Sequence, residues 1–153
     1  MAVSENRVSE LTALDYYFER LRGRLVGLTD AEYLWEPAVD VPTIAWRLAH
    51  IADGLREERN WRWMGRQPTL RDADRRMPAT ADAAIAYLEE AYAAWTSLVG
   101  SVRSDDWWQP MGAVAGPYAC SDRVAFVVHI MDELIHHGAE VALLRDLYRA
   151  GGR

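Results

Sequence analysis

The sequence contains no lysine, a single cysteine and no long apolar run. All 17 basic side chains are arginines, and 23 acidic residues bring the net charge to −6. An acidic chain lacks the basic face on which binding to a phosphate backbone usually depends, so we expect no nucleic-acid partner. The absence of an apolar run of about 18 residues predicts that no segment spans a membrane.

The single cysteine, Cys120, has no partner for an internal disulfide, which predicts a reduced, cytoplasmic protein. We expect it to be a small packed residue rather than a reactive thiol. The segment from Met1 to Arg7 is polar and lacks the apolar core of a secretion signal. With half of its 153 residues hydrophobic, the chain is expected to form one globular domain over residues 1–153.

Apolar residues at spacings of three and four predict four long helices and no strand. The predicted helices cover about 9–28, 43–64, 81–100 and 121–148. On the first helix the apolar stripe consists of Leu11, Leu14, Phe18, Leu21 and Leu25. Thr43, Thr80 and Ser121 are the expected N-caps of the later helices.

Between the helices, the pattern Thr29-Asp30-Ala31-Glu32 is that of a capping box and predicts a short extra turn. Residues 65–80 and 101–120 form two long connections. The combination predicts an all-α fold, a four-helix bundle with two long connections.

Three of the four histidines lie on the last predicted helix, where a face that is otherwise apolar contains a carboxylate and an imidazole. That face consists of Phe126, Ile130, Glu133, His137, Val141 and Leu144. A buried carboxylate costs several kcal/mol unless a partner offsets the loss of water. Glu133 and His137 are four residues apart, so their Cβ atoms lie roughly 5–6 Å apart and both side chains can reach one ion.

The third ligand is expected from His50, which lies among apolar neighbours at the edge of the second helix's apolar stripe. Two histidines and one carboxylate form a ligand set used by catalytic zinc sites, which keep a further position open. We therefore predict a divalent-metal site at His50, Glu133 and His137. Zinc or nickel are the expected ions, and iron or manganese would also accept these ligands.

Spacing alone leaves two alternatives open. Glu133 and His137 can be an ordinary side-chain pair, in which case the chain is a plain helical interaction module. A neighbouring stripe also places His129, Glu133, His136 and Glu140 in register, but it is polar throughout and a solvated face explains it without a metal.

Two segments resemble the DinB-like family, within the DinB and mycothiol-dependent maleylpyruvate isomerase superfamily. Residues Thr43 to Gly54, TIAWRLAHIADG, look like the second helix of that family, and residues His129 to Tyr148, ending in HHGAEVALLRDLY, are similar to its last helix. The resemblance covers nearly the whole chain. It implies an up-down-down-up four-helix bundle, and many members bind a divalent metal through three histidines.

The resemblance carries over residue by residue. The family's second-helix histidine falls on His50, and its final-helix pair falls on Glu133 and His137. The first residue of that pair is commonly histidine, so Glu133 is a departure. A glutamate there is seen in the mycothiol-dependent maleylpyruvate isomerase branch, which has an additional domain that we do not expect in this chain.

The resemblance implies a metal-dependent enzyme that acts on small molecules, with transfer of a low-molecular-weight thiol such as mycothiol onto or off an electrophile. The alternatives are a non-catalytic, stress-associated protein whose ion only joins the helices, and a metal-dependent hydrolase. Family members are often dimers, so a homodimer is also implied.

Other residues near the predicted site have simpler interpretations. Arg47, one turn before His50, can meet a ligand carboxylate, although a surface arginine is the favoured interpretation. Aromatic residues that can wall a pocket, but that more commonly serve in packing, are Trp46, Trp107, Trp108 and Tyr118.

Overall fold

The computed structural model describes the backbone of residues 2–151 and the side chains of residues 13–151. Over this part of the chain there are six α-helices and no strand, which confirms the all-α class. The helices are α1 (Ala2–Leu25), α2 (Asp30–Tyr33), α3 (Ile44–Arg56), α4 (Glu58–Trp63), α5 (Ala81–Ser101) and α6 (Arg123–Gly151). Short 3-10 turns at Asp72–Asp74, Ser104–Asp106 and Ala113–Tyr118 interrupt the two long connections.

The four long helices, α1, α3, α5 and α6, contribute to one hydrophobic core. Helix α3 packs against both α5 and α6, and α1 packs against α6. The predicted stripe of α1 is buried at Leu14, Phe18, Leu21 and Leu25, while the side chain of Leu11 lies outside the described residues. None of the helices in residues 2–151 is long and apolar enough to cross a membrane.

Helix α1 ends at Leu25, three residues earlier than predicted. Gly27 follows with φ +69°, a left-handed conformation that glycine adopts without steric cost. The predicted extra turn is present, because Thr29 Oγ1 accepts the Glu32 N–H at 3.2 Å and begins α2. The Glu32 carboxylate accepts from Arg145 at 2.7 Å, and the Thr29 backbone N–H also helps to hold the pKa of that carboxylate down, as the reciprocal half of a capping box does.

The prediction of one continuous second helix over about 43–64 is wrong, because the chain breaks at Glu57, whose ψ is +139°. The Glu58 N–H, which a continuous helix would pair with the Gly54 carbonyl, instead donates to Asp72 Oδ1 at 3.0 Å. The freed Gly54 carbonyl accepts from the buried Asn60 side chain at 2.7 Å. Both backbone groups therefore keep a partner, and the chain can change direction without leaving either unpaired.

The predicted caps are confirmed at two of the three positions. Thr43 Oγ1 accepts the Trp46 N–H and Thr80 Oγ1 accepts the Ala83 N–H, starting α3 and α5. Helix α6 begins one residue later than Ser121 predicts, because Asp122 Oδ1 accepts the Ala125 N–H at 2.8 Å.

The connection before α6 buries Trp107, which is 7% exposed, but leaves Trp108 and Tyr118 more than half exposed. The prediction that Cys120 is a packed residue is wrong, because this connection places it at the surface. The connection therefore contributes one tryptophan to the core and leaves several side chains accessible near the start of α6.

An ion pair between Glu32 and Arg145 joins α2 to α6, and both side chains are only 4% exposed. Arg145 Nε and one terminal nitrogen donate to the two carboxylate oxygens at 2.7 and 3.1 Å. Its other terminal nitrogen donates to the Arg24 and Val26 carbonyls near the end of α1. One arginine thus ties the ends of three elements together and satisfies carbonyls that the end of α1 leaves without helical partners.

We predict that Glu32→Gln lowers the free energy of unfolding by about 3–5 kcal/mol at neutral pH, because it leaves a buried arginine without its counter-charge. Burial raises the pKa of Glu32, but the bonds from Arg145 outweigh it and hold that pKa below its ordinary value of 4.5. The stabilisation is therefore present above pH 4.5 and is lost as the pH falls through the lower, folded-state pKa.

Denaturant unfolding at a series of pH values tests this prediction. The difference between the two proteins should shrink below pH 4.5. The exposed Glu36 supplies a control, because Glu36→Gln should change stability by less than about 0.5 kcal/mol. Equal stability of Glu32→Gln and the parent chain at pH 7 would contradict the prediction.

Candidate metal centre

The predicted ligands are brought together where α3 packs against α6. His50 lies on α3, and Glu133 and His137 lie one turn apart on α6. The Nε2 atoms of His50 and His137 lie 3.4 and 3.3 Å from the same oxygen, Glu133 Oε2. One potential ligand atom from each residue lies within 4.8 Å of the other two.

The exposure of the three side chains follows the prediction for His50, expected at the edge of an apolar stripe, but Glu133 is more exposed than its place on an apolar face of the last helix predicts. The side chain of His137 is 14% exposed, whereas those of His50 and Glu133 are 44% and 39% exposed. Glu133 lies at the edge of the core, since the α3–α6 contact opens toward solvent at this point. The cluster is therefore anchored on its His137 side and accessible on the other.

The second ring nitrogen of His137 is held by a chain of polar contacts. His137 Nδ1 lies 2.7 Å from Glu140 Oε2, and Arg47 Nε donates to the same oxygen at 2.8 Å. Arg47 also donates to the Pro42 carbonyl just before α3. Arg47 is only 7% exposed, so its interpretation as a surface arginine is wrong. Its donors are directed at Glu140 and Pro42.

These polar contacts determine which ring nitrogen of neutral His137 carries the proton. Burial raises the pKa of Glu140, but the bonds from His137 and Arg47 lower it below its ordinary value, so the carboxylate is ionised at neutral pH. An ionised carboxylate only accepts, and His137 Nδ1 must donate. In the neutral ring the lone pair then lies on Nε2, which faces Glu133.

Trp46 fixes the position of the other imidazole. Its ring stacks on His50 with centroids 4.8 Å apart and planes within 7°. The two imidazoles meet nearly at right angles, with centroids 4.6 Å apart. Trp46 therefore serves in packing as well as in walling the site, because it supports one face of a ligand candidate.

The neighbouring stripe supplies a second cluster, formed by His136, His137 and Glu140. The prediction that this stripe is simply solvated is wrong at Glu140, whose side chain is 33% exposed and is bonded to both His137 and Arg47. The Arg47 guanidinium already neutralises Glu140 and would repel a cation. His129 belongs to neither cluster. The set around Glu133 is the better cation site of the two.

The donor set of His50, Glu133 and His137 fits a divalent ion. In the neutral ring, His137 Nε2 carries a lone pair, and the Glu133 carboxylate oxygen that it faces can only accept a hydrogen bond. Two acceptors repel each other, so this contact becomes favourable only when a cation or a proton lies between the two atoms. The separations of 3.3 and 3.4 Å exceed a good hydrogen bond. They match the roughly 3.3 Å expected between two tetrahedral ligand atoms with bonds near 2.0–2.1 Å.

A cavity of about 320 Å³ opens beside the cluster, and both His50 and Glu133 line it. Its other polar walls are Asp53, Glu57, Arg59, Arg75 and His129. Glu57 pairs with both arginines, and Asp53 accepts the Tyr87 hydroxyl at 2.8 Å. The cavity gives a small molecule direct access to the exposed side of the ligands.

The roles of several of these residues were not predicted from the sequence. Glu140 was placed on the neighbouring polar stripe, but its contact with His137 gains its significance from Arg47, which is 93 positions away in the sequence. Arg59 lies on α4 and Arg75 lies in the connection between α4 and α5, and neither was assigned to a site from the sequence. No local pattern distinguishes them from the other surface arginines.

Comparison with known proteins identifies a family and a solved structure of similar fold. A family model described as the DinB superfamily matches residues 13–141. The fold resembles a crystal structure titled as the conserved protein of a locus from Enterococcus faecalis, with a TM-score of 0.68 and 18% identity over 94% of this chain and 97% of that one. At this identity the likeness shows the fold alone. No curated protein sequence matches the chain.

We predict that neutral His137 in the metal-free protein carries its proton on Nδ1, because Glu140 accepts it there. Nitrogen chemical shifts in long-range ¹H–¹⁵N spectra distinguish the two tautomers. Glu140→Leu should remove the preference, whereas Asp132→Leu, at an exposed position of the same helix, should preserve it. A Nδ1-protonated ring that persists in Glu140→Leu would show that another group holds the proton.

Proposed function

The chain belongs to the DinB superfamily, and we propose from this membership and from the geometry of its α3–α6 cluster that it is a metal-dependent enzyme acting on small molecules. In this proposal one divalent ion is bound by His50, Glu133 and His137. Zinc or nickel suit the ligand set, and iron or manganese would also be accepted. The long helices are proposed to follow the family's up-down-down-up order in a single domain.

The observation that carries the proposal is the convergence of two imidazole nitrogens on one oxygen of Glu133. Neighbouring side chains hold both imidazoles in place, because Glu140 and Arg47 orient His137 and Trp46 stacks on His50. A carboxylate that holds the far nitrogen of a metal-binding histidine is a common feature of such sites, and it sets both the ring orientation and the tautomer.

Access to the cluster favours an enzyme over a protein in which the ion only joins helices. A structural ion is usually enclosed by four protein ligands, whereas a catalytic one keeps a position open. Here the described residues supply three converging ligands, and a cavity of about 320 Å³ adjoins two of them. A bound divalent ion in this setting lowers the pKa of a coordinated thiol or water and so supplies a nucleophile at neutral pH.

The residues around the ion would divide the work of binding and orientation. His137 presents an unprotonated Nε2, Glu133 supplies the negative charge, and Arg47 keeps Glu140 ionised and in place. We propose thiol transfer as the reaction because a glutamate at the position of Glu133 is shared with the thiol-dependent isomerase branch. A homodimer remains a further expectation from the family.

We predict about one divalent ion per chain in protein purified without a chelator or a histidine tag, measured by elemental analysis. His50→Ala and His137→Ala should each lose most of the ion, and Glu133→Ala should reduce it. His129→Ala and His136→Ala should leave the content nearly unchanged, which makes them matched controls. Full occupancy in both His50→Ala and His137→Ala would exclude this site.

We predict that a low-molecular-weight thiol changes the visible spectrum of the cobalt-substituted protein, because a thiol that binds a metal ion is deprotonated and becomes a ligand. Mycothiol, bacillithiol and glutathione should be compared, and His50→Ala should abolish the response. If cobalt is bound and its water exchanges, but none of the three thiols changes the visible spectrum, the result would point to a hydrolase or to a structural ion.

A further inference from the structure

A second cavity, with aromatic walls and a volume of about 250 Å³, adjoins the one beside the metal cluster. It is lined by Trp63 of α4, Phe126 of α6, Tyr118, Met111 and Ala125. The Trp63 ring centroid lies 4.9 Å from that of Phe126 and 5.8 Å from that of Tyr118. For comparison, an apolar cavity of about 150 Å³ is large enough to bind benzene.

The two cavities have a common boundary. The side chains of Arg59 and His129 line both of them. Arg59 lies over Trp63, with its Cζ 5.1 Å from the ring centroid. Its side chain is 46% exposed and His129 is also exposed, so either can rotate toward solvent without disturbing the core. A ligand can therefore extend from one cavity into the other.

The walls change in character along α6. Glu133 and His129 mark the polar end, and Phe126 and Ala125 mark the apolar end. Glu133 and Phe126 are seven residues apart, which is about 10 Å along a helix. A flat apolar group packed against the aromatic walls is stabilised by burial and by ring contacts, whereas a charged or metal-binding group belongs at the other end.

We propose that the substrate is an elongated small molecule with a metal-binding thiol at one end and a flat apolar group at the other. The thiol end lies at His50, Glu133 and His137, and the apolar group lies in the cavity lined by Trp63, Phe126 and Tyr118. This assignment rests on the proposed function for the thiol end alone. The aromatic cavity is a feature of the chain whether or not the ion is bound.

The test compares three thiols on the cobalt-substituted protein: ethanethiol, hexanethiol and phenylhexanethiol. The last two have the same spacer and differ only in the ring. We expect phenylhexanethiol to bind about tenfold or more tightly than hexanethiol, because only the ring fills the aromatic cavity. Equal affinity of these two thiols would overturn the proposal.

Two variants of α6 locate the ring. Ala125 is exposed and lines the aromatic cavity, so Ala125→Trp should fill the cavity and remove the preference for phenylhexanethiol. Val128 is 48% exposed and lines neither cavity, so Val128→Trp should retain it. Ethanethiol affinity should be the same in both variants. A preference that persists in Ala125→Trp would show that the ring binds elsewhere.

A separate measurement distinguishes failure of the proposed function from failure of this assignment. If no thiol affects the cobalt spectrum, the thiol chemistry is wrong. Phenylhexanol, which lacks the thiol, is then titrated into metal-free protein and followed by amide chemical shifts. Changes concentrated at Tyr118, Ala125 and Phe126 would support the aromatic subsite, and changes elsewhere or none would overturn it.

Discussion

The hydrogen bonds of one partly buried carboxylate, Glu140, join the two helices of the candidate site and orient His137. A single oxygen accepts from Arg47 on α3 and from His137 on α6, so it joins the two helices on which the candidate ligands lie. Arg47 compensates the charge, and its further bond to the Pro42 carbonyl anchors it to the segment that precedes α3. These hydrogen bonds hold the His137 imidazole in one tautomer and one orientation without a bound ligand.

Two of the buried arginines among the described residues, Arg145 and Arg47, each join two helices through a carboxylate and a backbone carbonyl. Arg145 binds Glu32 and carbonyls near the end of α1, and Arg47 binds Glu140 and a carbonyl before α3. In each case the planar guanidinium satisfies a carboxylate and a backbone oxygen together, which the single charged nitrogen of lysine matches less well. A sequence with 17 arginines and no lysine is well supplied for such contacts.

The parts of the structure that were predictable from sequence depend on local spacing. The all-α class, the caps at Thr43 and Thr80, and the meeting of Glu133 with His137 follow from periodicity and from side chains a few residues apart. His50 was identified because it is the one histidine of the sequence outside the last helix, and because a carboxylate expected on a buried face needed a partner.

The features that sequence reasoning missed depend on distant partners. The break at Glu57 is completed by Asp72, which accepts the Glu58 N–H from a connection 14 residues along the chain. The choice of Asp122 over Ser121 as the cap was undetermined locally, since both residue types cap helices well. Arg47 appeared to be a surface residue because its partner, Glu140, is 93 positions away.

The break at Glu57 also changes the angular relationship between residues on either side of it. A continuous α-helix turns about 100° per residue, so nine residues would place Arg59 about 180° from His50, on the opposite face. In the structure both side chains line the same cavity. The break at Glu57 changes the direction of the side chains that follow it, so that Arg59 of α4 lies on the same side as His50. If the helix continued without the break at Glu57, the same side chains would be present, but His50 and Arg59 would lie on opposite faces and could not line one cavity.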